Sequence, residues 1–210
     1  MPRWLATTRG IKRGVEAKGA SQKLSLCLPL TSAMQFLHII AAFAVSAVAV
    51  ASPLSARDAK AALAALNGGI ATLNSQVESI GPKSTLADLL KVGTDSSIVQ
   101  NQLKTTTDSF TGTFSPADCT SLYNSATGLS GAKAKTETSL KDIQAKAADI
   151  IKIGGQVIKS TIADSILSFQ KNTNGLKDAA AKTCPNIADK LNADSKELNP
   201  IFDAARAAFA

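Results

Sequence analysis

From Leu63 to Ile80, large apolar side chains recur at Leu63, Leu66, Ile70, Leu73, Val77 and Ile80, in steps of three and four residues. An α-helix turns once in about 3.6 residues, so these side chains share one face; a strand would scatter them to both sides. The same spacing returns in later segments of the chain. Helices that are apolar on one side can hide that side only against one another, which restricts the chain to helix-on-helix architectures. Composition agrees. Beyond residue 51 the chain carries one tyrosine, five phenylalanines and no tryptophan, amid abundant Ala, Lys, Leu and Ile. Such a mixture favours helices over sheets.

The first helix is expected over about Asp58–Ile80, closed by Gly81-Pro82. Asn67-Gly68-Gly69 interrupts it. A helical Gly costs about 1 kcal/mol relative to Ala, so close packing or a bend is expected there. The second region carries Leu86, Leu89 and Leu90, a break around Gly93-Thr94, then Ile98, Val99, Leu103, Phe110 and Phe114. Its Thr-rich stretch, Thr105 to Thr113, obscures where it stops. A third begins at Ser115-Pro116-Ala117-Asp118, with Ser as N-cap, Pro at the first helical position and an early acid. Its apolar row runs Cys119, Leu122, Ala126, Leu129 and resumes at Leu140, Ile143, Ala147 and Ile150. Glu137 with Lys141, and Asp142 with Lys146, are spaced to pair on its outer face.

Gly154-Gly155 marks a turn, after which Ile158, Ile162, Ile166, Phe169, Leu176 and Ala180 lead to Cys184-Pro185. The last segment holds Ile187, Leu191, Leu198, Ile201, Phe202, Ala205 and Phe209, with a kink expected at Asn199-Pro200. The expected fold class is therefore all-α: an up-and-down antiparallel five-helix bundle over residues 52–210.

Ahead of the bundle the sequence restarts. MQFLHIIAAFAVSAVAVASP, from Met34, has the anatomy of a secretory signal peptide over 34–51, ending in small residues before Ser52-Pro53. A permanent anchor would need ~20 apolar residues, more than this run supplies. Residues 1–33 read as a basic extension, disordered or upstream of the true start. They hold six basic residues against Glu16, so +5 of the formal net charge of +7 leaves with them and residues 52–210 keep only +2. Basicity therefore gives no support to a nucleic-acid partner, and stacking aromatics are scarce.

Removal of the leader also takes Cys27 and the single histidine, His38. Cys119 and Cys184 remain, and in an oxidising compartment two cysteines most economically form one disulfide. If the third and fourth regions form a hairpin about Gly154-Gly155, Cys119 lies 35 residues before Gly154 and Cys184 lies 29 after Gly155. At ~1.5 Å rise per residue the arms differ by about 9 Å, which brings the cysteines together at the open end.

Without a histidine or free thiol, Ser-His or Cys-His catalysis has no residues to use. The acids sit beside lysines and small polar residues, the pattern of a solvated face. No phosphate-cradling glycine loop occurs, and no cofactor or metal is expected. What remains is apolar inventory. An Ala-rich bundle with few aromatics can leave a tunnel between its helices, or lay its apolar faces on a hydrophobic surface. There each buried methylene of an acyl chain is worth about 0.8 kcal/mol.

The stripe Leu63-Leu66-Ile70-Leu73-Val77 and the segments ADIIKIGG, SILSFQKNTNGLKDAAAKTCP and PIFDAARAAF resemble the fungal hydrophobic surface-binding protein A family, which includes cell-wall galactomannoproteins. The resemblance spans about residues 57–210. It implies a secreted helical bundle that adsorbs to hydrophobic surfaces, with some relatives binding fatty acids inside the bundle and others held in the cell wall by Ser/Thr-rich tails or lipid anchors. This chain has neither kind of tail, which favours release over wall anchoring.

The leading expectation is a secreted, non-enzymatic protein that binds fatty acids or other lipids and adsorbs to hydrophobic surfaces, with the fungal cell wall and its polymers as a further association. Periodicity nominates Ile70, Leu73, Val77, Leu103, Phe110, Leu122, Leu140, Ile143, Ile150, Ile158, Ile162, Ile166, Phe169, Leu198 and Phe202 as its apolar lining. The rival readings are a secreted protein-interaction module, such as an inhibitor of an extracellular enzyme, and an enzyme using paired carboxylates.

Overall fold

The computed structural model describes residues 55–210; the expected basic extension at 1–33 and the expected signal peptide at 34–51 lie outside the described residues. Six helical segments follow Ser55: α1 (Ala56–Ser79), α2 (Leu86–Ser109), α3 (Pro116–Thr127), α4 (Ala132–Ala145), α5 (Ala147–Thr183) and α6 (Ala188–Ala207). A short 3-10 turn at Pro185–Ile187 joins the last two, and the described residues contain no strand.

Polar side chains set the helix starts. At α1, Ser55 Oγ accepts from the Asp58 N–H while the Asp58 carboxylate accepts from the Ser55 N–H at 2.8 Å, closing a capping box. Thr85 and Asp88 repeat the arrangement at α2, with the Thr85 N–H donating to Asp88 at 2.8 Å. Both carboxyl groups are held below the ordinary carboxylate range, chiefly by the hydrogen bond from the cap backbone. Ser115 caps α3 as its sequence implies, with Pro116 in the first turn.

The segments combine into five rods. α3 and α4 are the two halves of the expected third helix, parted at Gly128–Gly131. A Cβ at Gly131 would sit 2.4 Å from the Ala126 carbonyl oxygen, so the chain can fold back this tightly only at a glycine. α5 carries the turn at Gly155, whose φ of 68° lies in the left-handed region. The long run after Gly155 is the fourth rod and α6 the fifth. Rods consecutive in sequence run antiparallel. Around the bundle the order is α1, α2, α5, α6, α4 and back to α1, so the ring closes through helices distant in sequence. α3 packs against α1 and α4.

Some expectations need correction. α2 runs unbroken through Gly93-Thr94; the Thr94 and Ser97 hydroxyls bond back to the Leu90 and Gly93 carbonyls within it, and the capping box secures its start. α4 and α5 touch each other only sparingly, since α6 packs against both. The expected Glu137–Lys141 and Asp142–Lys146 pairs are absent among the ion pairs of the described residues. Lys146 instead donates to the Glu78 carbonyl at 2.9 Å and to the Ile80 carbonyl, satisfying the C-terminal end of α1. Of the glycine pair in α1 only Gly69 is closely approached: a Cβ there would meet the flexible end of the Gln102 side chain of α2, whereas one at Gly68 would meet nothing within 4 Å.

The core follows the α1 stripe. Leu63, Leu66, Ile70, Leu73 and Val77 pack with Val99 and Leu103 of α2, and with Leu122 of α3. At one end Cys119 and Cys184 form a buried disulfide with Cα atoms 5.5 Å apart, tying the start of α3 to the end of α5. Thr183 Oγ1 donates to the Phe110 carbonyl at 2.9 Å beside it.

Candidate functional site

Three of the apolar rows contain a gap of a full heptad or more. On α5 the row steps from Phe169 to Leu176 over Thr173. On α6 it steps from Leu191 to Leu198 over Asp194. Ahead of Leu140 on α4, the inward positions are Thr136 and Lys133. Each of these four polar residues lies on the inward line of its helix, where helical spacing calls for a large apolar side chain. They come together in space. All four line one cavity of about 110 Å³ inside the bundle, to which every helix contributes.

Its apolar wall is Leu63, Leu66 and Ile70 from α1, Leu103 from α2, Ala126 from α3, Ala132 from α4, Phe169 and Leu176 from α5, and Leu191, Leu198 and Phe202 from α6. Phe169 and Phe202 meet edge to face, with ring centroids 5.6 Å apart, and fix one side of it. Of the side chains nominated from the sequence, Ile70, Leu103, Phe169, Leu198 and Phe202 line this space. Leu73, Val77, Phe110, Leu122, Leu140, Ile150, Ile158 and Ile166 are buried elsewhere, and Ile143 and Ile162 are half-buried outside the cavity. Phe110, for instance, packs on Phe114 near the disulfide, with centroids 5.9 Å apart. Periodicity places a residue on the inward face but cannot say at which level the facing rows mesh and at which they leave space.

The polar wall was not legible as a site. Lys133 Nζ donates to Asp194 Oδ1 at 2.7 Å and to Glu197 Oε2 at 2.6 Å. The Lys133 and Asp194 side chains are only 20% and 17% exposed, whereas Glu197 is 66% exposed at the rim. Burial alone would lower the Lys133 pKa, but hydrogen bonds from the ammonium to both carboxylates outweigh it and raise the value above the ordinary lysine range. Asp194 Oδ2 is buried. The Tyr123 phenol beside this carboxylate has its pKa raised by burial first, then by hydrogen bonding with Asp194 and by the Asp194 charge.

A second polar group closes on itself. Ser195 Oγ donates to Asn174 Oδ1 at 2.9 Å, Asn174 Nδ2 donates to Asn199 Oδ1 at 3.2 Å, and Asn199 Nδ2 donates to Ser195 Oγ at 3.2 Å. This ring pins α5 to α6 and is saturated internally. The Thr173 hydroxyl bonds within its own helix, to the Phe169 carbonyl at 2.9 Å. Chemically, the site offers a small apolar space with one charged, incompletely paired corner. Among the described residues no cluster of His, Cys, Asp and Glu has the arrangement of a metal site, and no helix is long and apolar enough to cross a membrane.

No family model matches the chain, and no curated protein sequence is detectably similar. The fold does have a counterpart among solved structures. The crystal structure of AfMP4p, an Aspergillus fumigatus protein, in complex with palmitic acid superposes with a TM-score of 0.67. It is 22% identical, and the match covers 74% of this chain and 100% of that one. The shared property is the helical-bundle fold.

Proposed function

We propose that this protein is a secreted, non-catalytic lipid binder that takes a single acyl chain, such as that of a fatty acid, between the helices of its bundle. The observation that carries this reading is the apolar cavity to which all six helical segments contribute. A structural neighbour of the same fold holds palmitic acid, which supports the same use of the bundle here. The expected signal peptide at 34–51 and the Cys119–Cys184 disulfide both suit an exported protein.

The cavity is smaller than the ~300 Å³ at the low end of ligand pockets. Uptake of a long chain therefore requires the lining to part, and side-chain movement at the lining positions supplies the room. Each methylene then buried contributes about 0.8 kcal/mol. That is enough for a long chain to bind with few polar contacts. Adsorption to hydrophobic surfaces, and through it association with a fungal cell wall, is the second part of the proposal. It is favoured by Leu86, Leu90, Ile98 and Val157, large apolar side chains that stand 40–64% exposed.

Native mass spectrometry of the purified protein, before and after delipidation, tests the interior site. An added mass equal to one fatty acid, lost on delipidation and regained on incubation with palmitate, is expected. No added mass and no uptake would remove the interior-site reading.

A further inference from the structure

The cavity must widen to admit a chain, and the seams around it are not equally costly to part. Leu63, Leu66, Ile70 and Leu103 form its α1–α2 wall and belong to the main apolar core, which joins α1, α2 and α3 to the end of α5. Leu198 and Phe202 of α6 are buried and border the same cavity without belonging to that core. Because α4 and α5 touch only sparingly, α6 closes the space between them.

The two edges of α6 differ. Toward α5, the Asn174–Ser195–Asn199 ring is supplemented by Gln170, whose Nε2 donates to Asn199 Oδ1 at 3.2 Å, and by Phe169 against Phe202. Toward α4, every side-chain hydrogen bond and ion pair among the described residues comes from Lys133, which reaches Asp194 at 2.7 Å and Glu197 at 2.6 Å. The cavity wall also nears solvent at this edge. Ala132, Lys133, Leu191 and Asp194 are half-buried, whereas the α1–α2 wall is buried.

Parting α1 from α2 would put leucine and isoleucine side chains into water at the full hydrophobic cost. Parting α4 from α6 exchanges the contacts of an ammonium and two carboxylates for hydration, so the net loss per bond is small. Pro200 supplies no N–H to the α6 ladder, which eases bending of that helix at the level of the cavity.

We infer, resting on the lipid-binding reading of this cavity, that the acyl chain enters between α4 and α6, and that Lys133, held by Asp194 and Glu197, is the latch of this entrance. The latch opens for passage and closes again behind the chain. It therefore governs the rates of uptake and release, and the equilibrium between free and bound protein much less.

Stopped-flow binding of a fluorescent fatty-acid analogue to two variants tests this. Glu197→Gln weakens the latch at a side chain that is 66% exposed and lies outside the cavity lining, so the fold and the binding space are retained. Gln170→Ala loosens the other edge of α6, also outside the lining. Glu197→Gln should raise the association and dissociation rates together by roughly two- to fivefold, the size of an exposed ion pair, with Kd changed less than about twofold. Gln170→Ala should leave both rates as in the parent. Unchanged rates in Glu197→Gln, a change in only one of its two rates, or equal acceleration by Gln170→Ala would overturn the assignment of the entrance while leaving lipid binding intact. Failure of the parent to bind the analogue would overturn the lipid-binding reading, and the entrance with it.

Discussion

Thr173→Phe turns the cavity itself into the experiment. Thr173 occupies the gap in the α5 row between Phe169 and Leu176, lines the cavity, and bonds only within its own helix. Its hydroxyl can therefore be lost without orphaning a partner elsewhere. An enclosed void costs stability at about 24 cal/mol per Å³; the 110 Å³ here is partly open to solvent, so about 2.6 kcal/mol is the most that filling it could return. A phenyl ring directed into it recovers part of that, with about 2.6 kcal/mol as the ceiling; at about 2–4 °C per kcal/mol the melting temperature rises by no more than roughly 10 °C. The same ring takes space from the ligand. Displacing about four methylenes at about 0.8 kcal/mol each removes about 3 kcal/mol of binding, more than a hundredfold in affinity. Thermal unfolding by circular dichroism, with palmitate titrated against a fluorescent fatty-acid analogue, reads both effects on one sample. A folded Thr173→Phe variant that still binds palmitate with unchanged affinity would refute the argument that the chain lies in this space.

The remaining predictions concern what holds the bundle shut. Replacing both Cys119 and Cys184 with Ala opens a loop of 65 residues and should cost about 4 kcal/mol on the chain-entropy account, read as a lower urea midpoint. Lys133→Met leaves Asp194 charged and buried without its cation and should destabilise by about 3–5 kcal/mol; a variant as stable as the parent in urea would show that the pair is only decorative. Because the folded pKa of Lys133 is raised, its stabilisation is complete below the unfolded value of 10.5 and declines as pH rises above it. Unfolding midpoints should therefore fall more steeply above pH 10.5 in the parent than in Lys133→Met. Gly155→Ala places a Cβ at φ 68° and ψ −166°, a conformation essentially reserved for glycine, and should cost about 1–3 kcal/mol through backbone strain, visible as a lower melting temperature.

The helices were legible because their signals are local. The α1 stripe, the Ser115-Pro116 start and the Gly155 turn each need only a few neighbouring residues, and each lies where its pattern places it. The arrangement in space was less legible. The closing contacts of α4 with α1 and α6 join segments whose rows look alike, so nothing in periodicity says which row meets which. The break at Gly128–Gly131 was hidden because Leu129 extends the row of Cys119, Leu122 and Ala126 at helical spacing, although it stands fully exposed.

For the site, Ile70, Leu103, Phe169, Leu198 and Phe202 could be read from the rows, but their polar neighbours could not be read as favourable features. Yet the rows carried the signal in negative. Thr173, Asp194, Thr136 and Lys133 occupy inward positions where a bundle wants leucine. A lone polar residue on one row is usually a local accommodation. Several rows interrupted at once mark a common level where the core is left unfilled, and that level becomes visible only after the helices are aligned.

Isotope-filtered NMR on the protein with uniformly carbon-13-labelled palmitate addresses the central claim most directly. Cross-relaxation from the acyl chain to the methyl groups of Ile70, Leu103 and Leu198, which line the cavity from three helices, is the predicted result. Contacts confined to the exposed Leu86, Leu90 and Val157, with none to those interior methyls, would contradict it.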